Sequence, residues 1–170
     1  FSNFFRISLN KGKDFLTVRE EFEHVKSYLT IQKIRYRDIL DYEIEYQPEM
    51  ADCEILKLIL QPLVENALYH GIKNKRGRGL LTVKGWRENN RLCFSVQDNG
   101  IGMTEERLAN IMEQINSTAD PEDLNNVYGL YNVNKRLKLY YDVSTKLEIT
   151  SRYKTGTTVY FCIPEVGINV

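Results

Sequence analysis

Three polar side chains, Asn66, His70 and Lys73, follow one another at intervals of four and three residues. At that spacing they share one face of a helix over two turns. An amide oxygen can ligate Mg²⁺, and an imidazole and an ammonium can donate hydrogen bonds to phosphate oxygens. The three residues therefore predict a phosphate and metal site, and the alternative is a solvated polar helix face.

A second motif, Asp98-Asn99-Gly100-Ile101-Gly102-Met103, begins where residues 91–97 end. Apolar and polar residues alternate in 91–97, which predicts a half-buried strand. Gly100 and Gly102 permit backbone angles closed to other residues and carry no Cβ, so a planar base could approach the main chain. The alternative is turn chemistry alone. Calcium is a poorer explanation because the spaced carboxylates of an EF-hand loop are missing.

A third motif is Gly129, which precedes a segment with apolar residues at helical spacing. A glycine before a helix N-terminus leaves free N–H groups, and these groups form an anion site together with the helix dipole. The alternative is a glycine in an interhelical turn.

The elements that must position these residues follow from apolar spacing. Helices are predicted at 54–70, 104–116 and 130–140, and the first carries a stripe that must face a core: Ile55, Leu56, Ile59, Leu60, Leu63, Val64, Ala67 and Leu68. Thr17 and Glu20 form a capping box that predicts the start of a further helix. Its apolar residues could form an inner face or a seam against a partner helix, and we favour the inner face: Val18, Phe22, Val25 and Leu29.

Strands are predicted at 41–46, in a hairpin of 80–86 and 91–97 across 88–90, and in a pair of 146–151 with 157–163 across Gly156. About three helices would cover one face of this sheet. The sequence thus predicts an α/β two-layer sandwich with a mixed, mostly antiparallel sheet.

Composition agrees with one globular domain, since 170 residues with 42% hydrophobic content can fill one core. The 23 basic and 23 acidic residues cancel, so no basic surplus argues for nucleic acid or an anionic membrane. No apolar run approaches the ~20 residues that span a bilayer. The cysteines are odd in number and far apart in sequence, which predicts buried thiols in a reducing compartment: Cys53, Cys93 and Cys162.

Taken in order, the three motifs resemble the N box, G1 box and G2 box of the Bergerat-type ATP-binding fold. Histidine kinases share this GHKL fold with gyrase-type ATPases, MutL and a heat-shock chaperone. Gly156-Thr157-Thr158-Val159 is similar to the terminal Gly-Thr element of the kinases. Two further segments are similar to LytS/YesM-like sensor histidine kinases: Leu60-Gln61-Pro62-Leu63-Val64-Glu65-Asn66-Ala67 with His70-Gly71, and Tyr28-Leu29-x-Ile31-Gln32-Lys33-x-Arg35-Tyr36. The resemblance covers nearly the whole chain.

The resemblance implies ATP and Mg²⁺ as cofactors. Asn66 would be the Mg²⁺ ligand, with Glu65 beside it as an indirect or water-mediated contributor to catalysis. His70 and Lys73 would contact phosphate, and Asp98 would accept the exocyclic amine of adenine. The remaining implied ATP-binding residues are those of the base pocket, the phosphate loop and the last strand: Gly100, Gly102, Gly129, Leu130 and Thr157.

Two positions depart from the family pattern. Val127 stands where the G2 box usually has its first glycine, and the lid before it is short, so phosphate binding at Gly129 is less firmly implied than adenine binding. Pro62 stands where gyrase-type ATPases carry the glutamate that activates water. Without that base, efficient ATP hydrolysis is not expected, and a proline inside the helix predicted at 54–70 should kink it.

The resemblance also implies a phosphoacceptor histidine in an upstream Pro-His-Phe-x-x-Asn segment. The chain has two histidines: His70 is assigned to the pocket, and His24 lacks the flanking residues of an acceptor. We therefore expect that the chain is a catalytic piece of a longer protein and that this piece cannot phosphorylate itself. Residues 1–40 would be a remnant and connecting helix from the histidine-bearing dimerisation region, and 41–170 the catalytic ATP-binding domain.

The expected function is that of the ATP-binding domain of a two-component sensor histidine kinase. Its partners would be its own upstream histidine-bearing domain and a response regulator, in a homodimeric parent, without nucleic acid. We expect a cytoplasmic domain of a membrane-anchored sensor. The alternative is a regulatory nucleotide-binding module of the anti-sigma-factor kind, without histidine phosphorylation. Residues 104–128, a predicted helix followed by a polar stretch with few apolar anchors, are expected to be mobile when empty and to order around the γ-phosphate, with hydrogen exchange across 116–127 as the test.

Overall fold

The computed structural model describes residues 14–118 and 124–165. Its centre is a five-stranded sheet in the order β2-β4-β5-β7-β6. The strands are β2 Leu40–Tyr46, β4 Gly79–Glu88, β5 Arg91–Asp98, β6 Glu148–Arg152 and β7 Gly156–Pro164. β2 pairs parallel with β4, and the other three pairings are antiparallel. The predicted α/β class with a mixed, mostly antiparallel sheet is confirmed.

In the described residues four helices accompany the sheet: α1 Val18–Arg35, α2 Leu60–Asn66, α3 Glu105–Ile115 and α4 Leu124–Tyr140. Side chains of β5 alternate between the helix-covered face and the opposite face, as a strand requires. Phe94 lies on the covered face, where its ring lies near that of Phe22 on α1. On the opposite face, Trp86 stacks on Tyr160. The helices and one sheet face therefore enclose a single core.

Helix α1 begins as its capping box predicts. The Glu20 amide N–H donates to Thr17 Oγ1 over 3.1 Å, and the Thr17 amide N–H donates to Glu20 Oε1 over 2.9 Å. All four residues of its apolar stripe are buried in the chain's own core: Val18, Phe22, Val25 and Leu29. The inner-face interpretation of this stripe is confirmed.

The predicted hairpin is also confirmed, since β4 and β5 pair from Leu81 and Asp98 to Glu88 and Arg91. Asn89 and Asn90 join the strands with φ angles of 51° and 63°. A two-residue hairpin turn of type I′ needs positive φ at both positions, and asparagine tolerates it better than most residues.

The helix predicted at 54–70 is wrong at its start. Residues Glu54–Leu56 form a short strand, β3, paired antiparallel with β1, Phe15–Thr17, and Leu58 then takes a positive φ of 56°. A short apolar run fits a buried strand as well as a buried helix, so periodicity could not separate the two. Because α2 begins at Leu60, Pro62 lies in its first turn, where no intrahelical bond is lost, so the physical reason for the predicted kink is absent.

Helix α2 ends in irregular turns. After Asn66 comes a π-helical turn, Ala67–Gly71, and then a 3₁₀ turn, Ile72–Asn74. Helix α4 also differs from the prediction, because it begins at Leu124 and not at Leu130. Gly129 therefore lies inside α4 and not before its N-terminus. The segment 104–128, expected to order around phosphate, lies partly outside the described residues.

The cysteine prediction is wrong for two of three residues. Cys93 on β5 and Cys162 on β7 lie directly opposite each other, with Cα atoms 4.0 Å apart, and form a disulfide. They are 69 residues apart in sequence, and only the strand pairing brings them together. Cys53 is free. Of the helices in the described part of the chain, none combines the length and apolar character that crossing a bilayer needs.

Candidate functional site

A cavity of about 330 Å³ opens between α2, the end of β5 and the pair of helices α3 and α4. Six of the residues predicted from sequence line it: Asn66, His70, Asp98, Gly102, Leu130 and Thr157. Four others are not part of its lining: Glu65, Lys73, Gly100 and Gly129. The structure thus brings the first and second motifs into one cavity, although they are separated by the whole of β4 and β5.

Asp98, together with Thr157 and Gly102, forms one part of the cavity lining, which we call the Asp98 end. Asp98 is the last residue of β5 and lies opposite Thr157 on β7. Its side chain is 5% exposed, and Oδ1 accepts a hydrogen bond from the Gly100 amide N–H over 2.8 Å. Burial raises the pKa of Asp98 to about 6, against the opposing effect of hydrogen bonds from the Gly100 and Thr157 backbone. A buried carboxylate in the lining of a pocket is a specific acceptor for an amine.

Main-chain segments approach one another closely around Asp98. A Cβ on Gly71 would lie 2.5 Å from Asp98 Oδ1, and a Cβ on Gly100 would lie 2.2 Å from the Gly71 carbonyl carbon. Gly100 therefore serves the packing of the 98–103 loop on the π-helical turn, and it does not line the cavity. Gly102, with φ of 66°, does line it, and its Cβ would lie 1.9 Å from the Arg152 carbonyl oxygen.

A second part of the lining, which we call the Asn66 end, is formed by Asn66, His70 and Asn74. A π-helical turn closes its hydrogen bonds from i to i+5, so it rotates less per residue than an α-helix. After this turn Asn74, and not Lys73, comes round to the face of Asn66 and His70. Uniform α-helical spacing places Lys73, and not Asn74, on this face, so nothing in the sequence signals Asn74. The Asn74 side-chain amide donates to the His70 carbonyl oxygen over 3.2 Å.

Lys73 lies on the opposite side, between two aromatic rings. Its Nζ is 4.5 Å from the centroid of the Tyr69 ring and 5.2 Å from that of Tyr36, within the range of cation–π attraction. Glu65 is likewise outside the lining, where its Oε1 accepts from Gln61 Nε2 over 3.2 Å. The sequence placed both residues beside a nucleotide, and in this structure neither faces the cavity.

A third part of the cavity lining is formed by the loop after Asp98 and by helices α3 and α4. The Met103 amide N–H donates to Ser151 Oγ over 2.8 Å, and Ser151 Oγ shares a 2.7 Å hydrogen bond with Thr157 Oγ1. Thr104 caps α3 by accepting from the Arg107 amide N–H. Among the described residues that line the cavity, Arg107 is the one arginine or lysine. Nothing in the sequence signals Arg107, because its helix carries no motif.

A buried asparagine joins the elements around this third part of the lining through hydrogen bonds. Asn134 on α4 is fully buried; its Nδ2 donates to the Ile115 carbonyl at the end of α3, and its Oδ1 accepts from the Leu147 amide N–H, each over 2.9 Å. One side chain thus joins α3, α4 and the approach to β6. With Gly129 inside α4, its amide is placed in a helical turn and not at a free N-terminus.

Comparison with known proteins gives two family matches. Residues 51–167 match the family described as histidine kinase-, DNA gyrase B-, and HSP90-like ATPase, and residues 1–40 match the family described as histidine kinase. The chain is 30% identical to the sensor histidine kinase YesM of Bacillus subtilis over 94% of its own length and 26% of that protein. It is 32% identical to the sensor protein LytS of Oceanobacillus iheyensis, over 96% and 28%. The chain thus spans about a quarter of the length of the curated relatives it matches.

Solved structures share the fold. The catalytic domain of histidine kinase ThkA in a nucleotide-free form superposes with a TM-score of 0.63 at 16% identity, covering 89% of this chain and 94% of that domain. ThkA in complex with the response regulator protein TrrA gives the same TM-score and identity over 99% of this chain and 48% of the ThkA chain. At this identity the likeness shows the fold alone.

Proposed function

The chain belongs to the family of histidine kinase-, DNA gyrase B-, and HSP90-like ATPases, and from that membership we propose that it is the ATP-binding catalytic domain of a two-component sensor histidine kinase. In this role it holds Mg²⁺-ATP and presents the γ-phosphate to a histidine. The observation that carries the proposal is that one cavity is lined both by a buried carboxylate, Asp98, and by the Asn66 amide with His70.

Adenine binds at the Asp98 end. The carboxylate accepts the exocyclic amine of adenine, and Thr157 and Gly102 line the same end of the cavity. A purine that presents a carbonyl at this position places an acceptor against an acceptor, so the site excludes guanine. Because the Asp98 end is backbone and sheet, the base needs no rearrangement to enter.

The triphosphate lies toward Asn66 and His70. Mg²⁺ takes oxygen ligands and keeps most of its coordination for water and substrate phosphates, so it needs only one or two ligands from the protein. The Asn66 amide oxygen is one such ligand, and Asp98 is the only carboxylate in the cavity lining formed by the described residues. This donor set fits Mg²⁺ held jointly by Asn66 and ATP. When bound, the ion neutralises phosphate charge.

The chain's own residues contribute positioning and charge. Asn66 orients the metal, His70 donates to phosphate oxygens, and Arg107 adds a fixed positive charge to the cavity lining. Pro62 supplies no base for water one turn before Asn66, so the phosphoryl group is kept for a protein acceptor. Glu65 contributes indirectly, since its side chain lies outside the cavity lining.

The partners follow from the same proposal. The acceptor histidine belongs to a histidine-bearing dimerisation domain, and the phosphoryl group passes on to a response regulator, a partner class for which the ThkA complex is a structural precedent. The parent is a homodimer whose sensing part is membrane-anchored, with this domain on the cytoplasmic side. Residues 1–40, which match the histidine kinase family, connect the histidine-bearing domain to the ATP-binding domain.

Thermal melting of the chain with nucleotide tests ATP binding. Millimolar Mg²⁺-ATP should raise the melting temperature, because a ligand selective for the folded state stabilises it. Asn66→Ala should remove the Mg²⁺-dependent part of this shift and leave the shift with ADP in EDTA. Asn132→Ala, which removes an exposed amide outside the cavity, is the matched control. An unchanged melting temperature for the wild-type protein would contradict the proposal.

Phosphotransfer separates the kinase from a purely regulatory module. The chain alone should acquire no acid-labile, alkali-stable label from γ-labelled ATP, because His70 lines the cavity and His24 is exposed on α1 outside any acceptor motif. A histidine-bearing segment joined to the chain or supplied by a dimer partner should become labelled. Nucleotide binding without transfer to any supplied histidine would favour the anti-sigma-like alternative. Label that disappears in His24→Gln would make His24 the acceptor.

A further inference from the structure

Helix α1 carries a fully buried carboxylate, Glu21, that the proposed chemistry does not use. Its Oε1 accepts from the Leu58 amide N–H over 3.0 Å, and its Oε2 accepts from the Ile59 and Leu60 amide N–H groups over 2.9 and 3.0 Å. Three backbone donors thus converge on one side chain. None of the ion pairs found between described residues includes Glu21.

These donors belong to the N-terminus of α2, the helix that ends in Asn66. The first N–H groups of a helix have no intrahelical partner, and Ile59, at the N-cap position, provides no side-chain cap. Pro62 has no N–H to satisfy. Glu21 therefore caps α2 from a different helix, and its negative charge also lies at the positive end of the α2 dipole.

The cap determines where Asn66 lies. At 1.5 Å per residue, Asn66 is about 9 Å along the axis from Leu60, so a tilt of about 10° at the capped end would move it by about 1.5 Å. Mg²⁺ demands ligand distances near 2.0–2.1 Å in octahedral geometry, so a shift of that size would disrupt its coordination. Asp98 is held in the sheet by the pairing of β5 with β7, so a tilt of α2 would move Asn66 more than Asp98.

We infer that Glu21 is a positioning residue for the nucleotide site: by capping α2 from α1 it holds Asn66 where it can ligate Mg²⁺. The inference rests on the proposed function and adds a residue from the region that matches the histidine kinase family, 1–40. It also makes Glu21 the contact through which a displacement of α1 along its axis would reach Asn66.

The test compares nucleotide affinities of the chain carrying Glu21→Gln. The amide keeps one acceptor oxygen and turns an NH₂ toward backbone donors, so the cap is broken with little change of volume. The Kd for Mg²⁺-ATP should rise about tenfold, the size typical of losing a group that orients a metal ligand. The Kd for ADP in EDTA, which depends on Asp98, should stay unchanged.

Two further variants separate positioning from general stability. Thr17→Ala removes the cap of α1 without touching α2, so it should lower the melting temperature and leave the ratio of the two Kd values at its wild-type value. Glu21→Asp keeps the charge on a shorter side chain and should recover part of the Mg²⁺-ATP affinity. If Glu21→Gln fails to fold, Glu21→Asp carries the test, since it should then lose Mg²⁺-ATP affinity selectively.

Equal losses for Mg²⁺-ATP and Mg²⁺-free ADP in the Glu21 variants, or no loss of either while the wild-type protein binds Mg²⁺-ATP, would overturn this inference alone. A wild-type protein that does not respond to Mg²⁺-ATP would overturn the proposed function and the inference with it. The wild-type measurement therefore tells the two failures apart.

Discussion

The two ends of the cavity are built in different ways. At the Asp98 end, strands β5 and β7 and the backbone of three loop segments meet so closely that a single added Cβ would overlap main-chain atoms at Gly100 or Gly102. At the Asn66 end, side chains project from a two-turn helix, a π-helical turn and a 3₁₀ turn. The Asp98 end is formed by closely packed backbone, whereas the positions of the side chains at the Asn66 end depend on the helical register.

This difference has a functional consequence. A binding surface formed by closely packed backbone is preorganised for a rigid ligand such as a purine base. The residues at an end set by helical register depend on the type of turn that follows the helix, since the π-helical turn after Asn66 precedes Asn74 in the lining. The proposed base site is therefore fixed by the fold, whereas the proposed phosphate site can be repositioned by contacts at the far end of α2, such as the Glu21 cap.

The largest effect is expected at the rigid end. Gly102→Ala places a Cβ 1.9 Å from the Arg152 carbonyl oxygen at a φ of 66°, so strain and overlap should cost about 3 kcal/mol or more of unfolding free energy and abolish adenine binding. Urea unfolding and nucleotide titration measure both. A Gly102→Ala protein with wild-type stability would show that the backbone around Gly102 rearranges more easily than its packing indicates.

Asp98→Asn should reduce the preference for ATP over GTP by about 10 to 100-fold, the value of one charged hydrogen bond. In the wild-type protein this preference should increase as pH rises through about 6, the pKa to which burial raises Asp98, because the ionised carboxylate is the better acceptor. ATP and GTP carry the same phosphates, so their titration cancels in the ratio. A preference that is independent of pH between 5 and 7 would contradict the assigned role.

The raised pKa of Asp98 also predicts how the free energy of unfolding depends on pH. The folded protein holds the Asp98 proton more tightly than the unfolded chain, whose aspartate pKa is about 4, so the unfolded state binds fewer protons between about pH 4 and 6. Stability contributed at Asp98 is therefore lost as pH rises through this window. Relative to Asp98→Asn, the wild-type free energy of unfolding should fall over that range, as urea titrations at several pH values can measure.

At the phosphate end, His70 and Lys73 make a matched pair. His70→Ala should raise the Kd for Mg²⁺-ATP about tenfold, as expected for the loss of a hydrogen bond to a charged group. Lys73→Met should leave this Kd unchanged, because Lys73 lies between Tyr36 and Tyr69. Isothermal titration compares them. A larger loss for Lys73→Met would restore the phosphate contact predicted from sequence and would require Lys73 to turn into the cavity on binding.

The smallest effect is expected at Gly129, which is exposed inside α4 with no atom within 4 Å of an added Cβ. Alanine is favoured over glycine in a helix interior by about 1 kcal/mol, so Gly129→Ala should raise the melting temperature by about 2–4 °C. A decrease would show that α4 does not continue through Gly129 in solution.

The sequence by itself determined the features that depend on local rules. The Thr17 capping box, the Asn89-Asn90 hairpin and the alternation that ends at Asp98 each follow from neighbouring residues, because caps, turns and strand faces are set within a few positions. These rules were enough to predict the fold class and to draw attention to Asn66, His70, Asp98 and Gly102, whereas Leu130 and Thr157 were named from the family resemblance.

The tertiary structure decided what depends on distant partners. β3 is a strand because β1 pairs with it, Cys93 meets Cys162 because β5 and β7 are neighbours, and Leu58 to Leu60 find their acceptor in Glu21 on another helix. The π-helical turn that faces Asn74 to the cavity packs against Gly100. None of these has a local signal, since a backbone hydrogen bond or a buried apolar side chain can be satisfied by any partner that the fold brings within reach.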